Sequence, residues 1–231
     1  MMTQQLLRSE DRGATNLDWL DSYHSFSFGH YWNPDWMGFR DLRVINDDTI
    51  APHSGFGEHG HRDMEIVTVM ISGTLTHRDS LGHSETLTAG EVQRMSAGTG
   101  IRHSEMNLGD ESVRLLQLWI LPDQEGLTPS YEQRAIALAP NQWTLLVSPE
   151  GRDGSLNIHQ NARLYRAQVT EGKVLDLPLA TDRSGWLQVI EGQVQYGDLT
   201  LKRGDGLALG AGQRSSLVAQ ADADLLLFDL A

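Results

Sequence analysis

"FGEHGHRDMEI" (residues 56–66) sets two histidines, His59 and His61, one residue apart, with a carboxylate, Glu65, four residues further on. Residues i and i+2 of an extended strand project from the same face, so the two imidazoles point the same way, with Cα atoms roughly 6.6 Å apart. A pair at that spacing can converge on one ion, or it can decorate the wet face of a strand. The rest of the chain decides between the two.

A second pair follows in "SAGTGIRHSEMN" (96–107), where His103 and Glu105 again stand two residues apart. Two such pairs on facing strands would supply three imidazole nitrogens and one carboxylate oxygen. Glu65 competes with Glu105 for the fourth place. Along a straight strand it lies about 13 Å from His61, so it reaches only through a sharp bend, whereas Glu105 needs none. "SAGTG" lacks the Lys-Ser/Thr of a phosphate loop and reads as a tight turn with positive φ at Gly98 or Gly100, aiming His103 and Glu105 inward. His24, His30, His53, His77, His83 and His159 have no comparable partners and are expected to be surface or hydrogen-bonded residues. His77 and His83 flank "RDSLG", a hairpin tip, and are expected to stay wet.

The 231 residues include 31 acidic and 18 basic side chains, for a net charge of −13, and no cysteine. No clustered Lys and Arg offer a footprint for phosphate backbones, so direct nucleic-acid and anionic-membrane partners are not expected. Without cysteine there is neither disulfide nor thiolate ligation, and any metal must use histidine and carboxylate. The start of the chain has no apolar core of signal-peptide length, and the longest apolar runs are strand-length. The expectation is a soluble, cytoplasmic protein.

Glycine-punctuated apolar stretches predict strands at 41–47, 65–77, 90–98 and 113–121, and a like series at 163–169, 185–197, 205–213 and 223–230. The two series align, with Gly73 on Gly192 and Gly90 on Gly204, as one β module used twice. Between them a linker (122–145) contains "SYEQRAI", with the look of one or two helical turns. The expected division is 1–130 and 131–231. On this alignment His59 and His61 fall on Pro178 and Ala180, so chemistry is expected in the first module and packing in the second.

The motif formed by His59, His61, Glu65 and Gly73, followed by Gly90, Gly98, His103 and Asn107, resembles the two cupin motifs. The strings "WLDSYHSFSFGHYWNPDWMGF" (19–39), "LRVINDD" (42–48), "GFGEHGHRDMEI" (55–66), "MSAGTGIRHSEMN" (95–107) and "SPEGRDGSLNIHQNARLYR" (148–166) resemble the pirins and pirin-like bacterial proteins across nearly the whole chain. That resemblance implies an all-β bicupin of two face-to-face β-barrels with one metal in the N-terminal barrel, held by His59, His61, His103 and Glu105. Glu65 then becomes a candidate to orient a ligand. Two departures stand out: Gly60 where the family commonly has proline, and Ser96 where many cupins do.

Three imidazoles and a carboxylate suit Fe(II), Mn, Co, Ni, Cu or Zn, with Fe(II) favoured, and leave two open positions in an octahedron. The bacterial members imply a quercetin 2,3-dioxygenase acting on a flavonol and dioxygen, with Glu105 as catalytic base. The chain is expected to be a monomer. The nuclear members imply a different role, a redox-tuned cofactor that binds a protein partner. A closed tetrahedral zinc staple is a third reading.

Overall fold

The computed structural model describes residues 4–213 and 216–231. In chain order its strands are β1 (Gln5–Leu7), β2 (Gly13–Leu17), β3 (Leu20–His24), β4 (Leu42–Ile50), β5 (Ser54–His61), β6 (Glu65–Ser72), β7 (Thr74–Asp79), β8 (Ser84–Thr88), β9 (Glu91–Ser96), β10 (Ile101–Asn107), β11 (Val113–Ile120), β12 (Ser130–Ala135), β13 (Thr144–Ser148), β14 (Leu156–Asn157), β15 (Ala162–Val169), β16 (Val174–Asp176), β17 (Ser184–Glu191), β18 (Gln193–Tyr196), β19 (Leu199–Lys202), β20 (Gly206–Leu209), β21 (Ser216–Ala219) and β22 (Ala223–Leu230). The only helical turns among the described residues are two three-residue 3-10 pieces, Ser9–Asp11 and Arg152–Gly154. Among the described residues no helix is long and apolar enough to cross a membrane.

The chain forms two units. One comprises Gly13–Ile136 with Leu156–Gln160; the other comprises Met1–Arg12, Ala137–Ser155 and Asn161–Ala231. The first unit carries a sheet ordered β12-β9-β6-β11-β4-β3-β2 and a second ordered β5-β10-β7-β8. The other repeats the plan as β1-β20-β17-β22-β15-β13 and β16-β21-β18-β19. The duplication legible in the glycines is therefore structural. Gly73 and Gly192 have φ of 79° and 81°, and Gly90 and Gly204 have 87° and 85°, values that side-chain-bearing residues rarely adopt.

"SYEQRAI" departs from expectation. It is strand β12, paired with β9 from Ser130↔Ser96 to Ala135↔Glu91. The open edge of β9 offers unpaired backbone donors and acceptors, and ladder pairing there outweighs a weak local preference for helix. In the second unit the same edge place is taken by β1, through Leu6↔Leu207.

The two units differ along one transverse row of residues. In the first, register aligns Gln133, Gln93, Thr68, Gln117, Asn46 and His24 across six strands. In the second, the same register aligns Leu6, Leu207, Leu187, Leu227, Tyr165 and Leu145. Apart from Leu145, the apolar row lies in or packs against a continuous core with Val189, Leu209 and Leu225. Two apolar clusters of the first unit, around Met70 and Leu115 and around Ile66 and Met95, are smaller.

Gly192 and Gly197 make a testable pair. A Cβ on Gly192 would lie 2.0 Å from the Asp222 carbonyl oxygen, whereas one on Gly197, at φ 57°, meets nothing within 4 Å. Gly197→Ala is expected to cost about 1 kcal/mol for its backbone conformation alone. Gly192→Ala should cost ~3 kcal/mol or more, because backbone must move. Thermal melts of the two variants should separate accordingly, and equal melting temperatures would refute the steric account.

Candidate metal centre

His59 and His103 are directly opposed across β5 and β10, and His61 faces Ile101 two residues along. A register shift between His103 and Glu105 marks a bulge in this pairing, so that Phe56 rather than the next residue in step opposes Glu105. Bulges commonly re-aim side chains beside active sites. Here the strand can approach β10 because Gly55 has no side chain: a Cβ would sit 2.3 Å from the Glu105 carbonyl oxygen.

The result is a tight group of nitrogens. His103 Nε2 lies 3.1 Å from His59 Nε2 and 3.1 Å from His61 Nε2. His59 Nδ1 lies 2.8 Å from the Gly57 carbonyl oxygen, which only accepts, so the proton sits on Nδ1 and the Nε2 lone pair faces its neighbours. Burial, followed by the proximity of His103 and His59, lowers the His61 pKa to about 4. Burial, then His59 and His77, lowers that of His103 to about 3. At neutral pH these are uncharged rings with crowded lone pairs, an arrangement that fits a shared cation.

Glu105, on the same strand as His103, is 1% exposed. Gln93 Nε2 donates to its Oε1 at 2.5 Å, Gln117 Nε2 donates to Oε2 at 2.8 Å, and the Thr68 hydroxyl lies 3.4 Å from Oε1. Three members of the polar row thus grip one carboxylate. Tyr131 extends the grip, its hydroxyl donating to Gln93 Oε1 at 3.1 Å. Among the described residues two groups of ligand-type atoms lie within 4.8 Å of one another: His59 with His61 and His103, and Glu105 with His103 and His77.

Glu65 is elsewhere. It pairs with Ser96 in the β6–β9 ladder and shares a strand face with Val67 and Val69, opposite to that of Thr68. Its carboxylate takes a hydrogen bond from the Ser96 hydroxyl at 2.8 Å and lies 3.4 Å from His159 Nδ1. It therefore anchors the Leu156–Gln160 segment rather than orienting a ligand. Ser96 is the donor this anchor needs.

His77 corrects another expectation. It is fully buried, its Nε2 lies 3.0 Å from Asp79 Oδ2, and its ring stacks on Tyr131 at 4.4 Å. The hairpin turns beyond Asp79, which receives the backbone N–H groups of Leu81 and His83, so His77 lies two residues inside the strand, on the face that opposes Glu105. His83 is half-buried against the same aspartate, and His53 pairs with Asp110 at the surface.

The histidine group opens on a cavity of about 440 Å³ lined by Trp19, Phe28, Phe56 and Trp119 and, among polar residues, by Ser22, His24, Asn46 and Asp48. Rings run in sequence from His61 to Trp119 (5.0 Å), to Phe28 (5.4 Å) and to His24 (5.3 Å). Three members of the polar row, His24, Asn46 and Gln117, line this cavity; the row leaves a trace in the sequence, with a polar residue at the centre of each of "SYHSF", "VINDD", "EVQRM" and "LLQLW" and Thr68 between the valines of "VTVM".

The Pirin family model matches residues 7–120, and the model described as Quercetinase C-terminal cupin domain matches residues 145–230. The chain is 46% identical over 226 residues to the quercetin 2,3-dioxygenase of Escherichia coli K12, covering 97% of both proteins. It is 38% identical over 222 residues to a pirin-like protein of Caulobacter vibrioides, covering 95% of this chain and 96% of that one. The crystal structure of the bacterial pirin YhhW from Escherichia coli in complex with nickel(II) superposes with a TM-score of 0.94 at 46% identity, covering 99% of each chain.

Asp48 offers a pH test. Burial, opposed by the Ser22 hydrogen bond and aided by Asp47 and Glu105, raises its pKa from 3.8 to about 7. A carboxyl group with a raised folded-state pKa favours folding in its protonated form, so its contribution is present below pH 3.8 and is lost as pH rises through 7. Asp48→Asn fixes the neutral form. In the metal-free protein it should melt above the wild type at pH 8 by several degrees, at roughly 2–4 °C per kcal/mol, with the gap narrowing towards pH 4. A constant gap would refute the assignment.

Proposed function

We infer, since the chain belongs to the pirin family, that it is a metal-dependent dioxygenase opening the ring of a flavonol such as quercetin. What carries this reading is the convergence of three imidazole nitrogens at 3.1 Å spacings on a cavity with aromatic walls. His59, His61, His103 and Glu105 would hold one divalent metal per chain. Fe(II) is favoured for dioxygen chemistry, and Mn, Co, Ni, Cu and Zn suit the same donors. Bound there, the metal would supply Lewis acidity toward the flavonol hydroxyl and open positions for substrate and dioxygen.

The protein's own residues do the rest. Glu105 takes the proton of the flavonol hydroxyl, and Gln93 and Gln117 keep its two oxygens oriented for that transfer. Trp19, Phe28, Phe56 and Trp119 accept a flat aromatic ligand and keep water from it. Loss of carbon monoxide from the opened ring completes the reaction. The second unit, with Pro178 and Ala180 aligned to His59 and His61 and a leucine row for the polar one, takes no metal. We place the chain in the cytoplasm as a monomer.

The test combines elemental analysis after anaerobic purification with oxygen uptake on quercetin. One metal per chain is expected. His59→Ala should fold normally, lose the metal and lose oxygen uptake. Glu65→Gln should retain its metal, whereas Glu105→Gln should lose metal affinity or rate by more than the roughly 10–100-fold typical of a residue that only supports a ligand. Metal-free His59→Ala consuming oxygen at the wild-type rate would overturn the enzyme reading. Failure of the wild type with every reconstituting metal would favour the regulatory role, in which the centre tunes a protein interface.

A further inference from the structure

We propose that Asp48 and Asn46, at the polar part of the cavity wall, form a second recognition site that takes two vicinal hydroxyl groups on an aromatic ring of the ligand. This rests on the flavonol reading for the identity of the ligand, but on separate residues.

The two side chains stand at i and i+2 of β4 and both line the cavity, at 2% and 3% exposure. Each is held on one side. The Ser22 hydroxyl donates to Asp48 Oδ1, and the Asn46 Oδ1 accepts from His24 Nδ1 at 2.8 Å. His24 is itself fixed, with the Thr15 hydroxyl 2.8 Å from its Nε2. Asp48 Oδ2 and Asn46 Nδ2 have no hydrogen-bond partner among the described residues. One is an acceptor and the other a donor, presented on the same face with backbones roughly 6.6 Å apart.

Both residues line the cavity, so a ligand held there can supply the partners that the protein does not. The pair matches a catechol: one phenolic O–H donates to Asp48, and the adjacent oxygen accepts from the Asn46 amide. A ring with a single hydroxyl satisfies only one of the two. An anionic group is disfavoured, because the carboxyl groups of Asp48 and Glu105 both line the cavity. The aromatic sequence His61, Trp119, Phe28, His24 links this site to the histidine cluster along one wall. A flat ligand lying on that wall reaches both.

The experiment compares quercetin with kaempferol, which lacks one hydroxyl of the vicinal pair. Binding to the full chain loaded with Fe(II) is followed without oxygen by quenching of the fluorescence of Trp19 and Trp119. The wild type should prefer quercetin by about tenfold, the scale of one buried hydrogen bond. Asp48→Asn and Asn46→Leu should each bring that ratio close to one, while their melting curves verify folding. An absent preference in the wild type, or one that survives both substitutions, overturns the site. Should the wild type show the preference but consume no oxygen, the dioxygenase reading fails and the recognition site stands. Should it turn over quercetin normally while both variants keep the preference, the reverse holds.

Discussion

A carboxylate that is 1% exposed cannot be left without donors, and Glu105 has two amides and a hydroxyl arranged about it. Much of the first unit follows from that requirement. Gln93, Thr68 and Gln117 come from three adjacent strands, and only a strict antiparallel register sets them side by side. A slip of one residue in any strand would send its donor to the opposite face and leave the charge unpaired. Removing one partner of a buried charge is among the more damaging changes a fold can suffer. The register of the sheet and the position of Glu105 therefore support each other.

The second unit shows what the same backbone does without that requirement. Its row of Leu207, Leu187 and Leu227 stands in register where Gln93, Thr68 and Gln117 stand in the first. Leucine needs no partner, packs at any rotation its neighbours allow, and contributes roughly 1.5–3 kcal/mol per buried side chain. Amides in the same place must be hydrogen-bonded merely to avoid a penalty. The first unit gives up part of its apolar core for a cavity and a charged centre, a loss of stability of the kind functional sites commonly carry.

The architecture was largely legible in the sequence, because apolar runs broken by glycine specify strands, and the paired turns at Gly73/Gly192 and Gly90/Gly204 mark the repeat. The convergence of His59, His61 and His103 was legible from i, i+2 spacing on two segments. What was not legible depended on which strands become neighbours. His77 looked like a hairpin-tip residue until the turn was found beyond Asp79. "SYEQRAI" has helix-compatible residues, and only the open edge of β9 makes it a strand. Gln93 and Gln117 are 24 positions apart in the chain and meet at Glu105 only through the ladder.

Glu65 and Glu105 show how narrowly such assignments turn. Chain distance alone ranks Glu65 behind Glu105 but does not place it. Face parity does: Thr68, which reaches Glu105, is three residues from Glu65, so the two side chains leave β6 on opposite sides. Ser96, opposite Glu65 in the ladder, leaves β9 on the side opposite to Gln93, three residues before it. Both glutamates are buried and both are satisfied. One is gripped from within by two amides and a hydroxyl on three strands; the other, with Ser96, holds His159 and the short segment around it. Two carboxylates of identical chemistry are thus sent to opposite faces of the sheet, one beside the histidines and the other to a structural anchor, by the two-residue period of the strand.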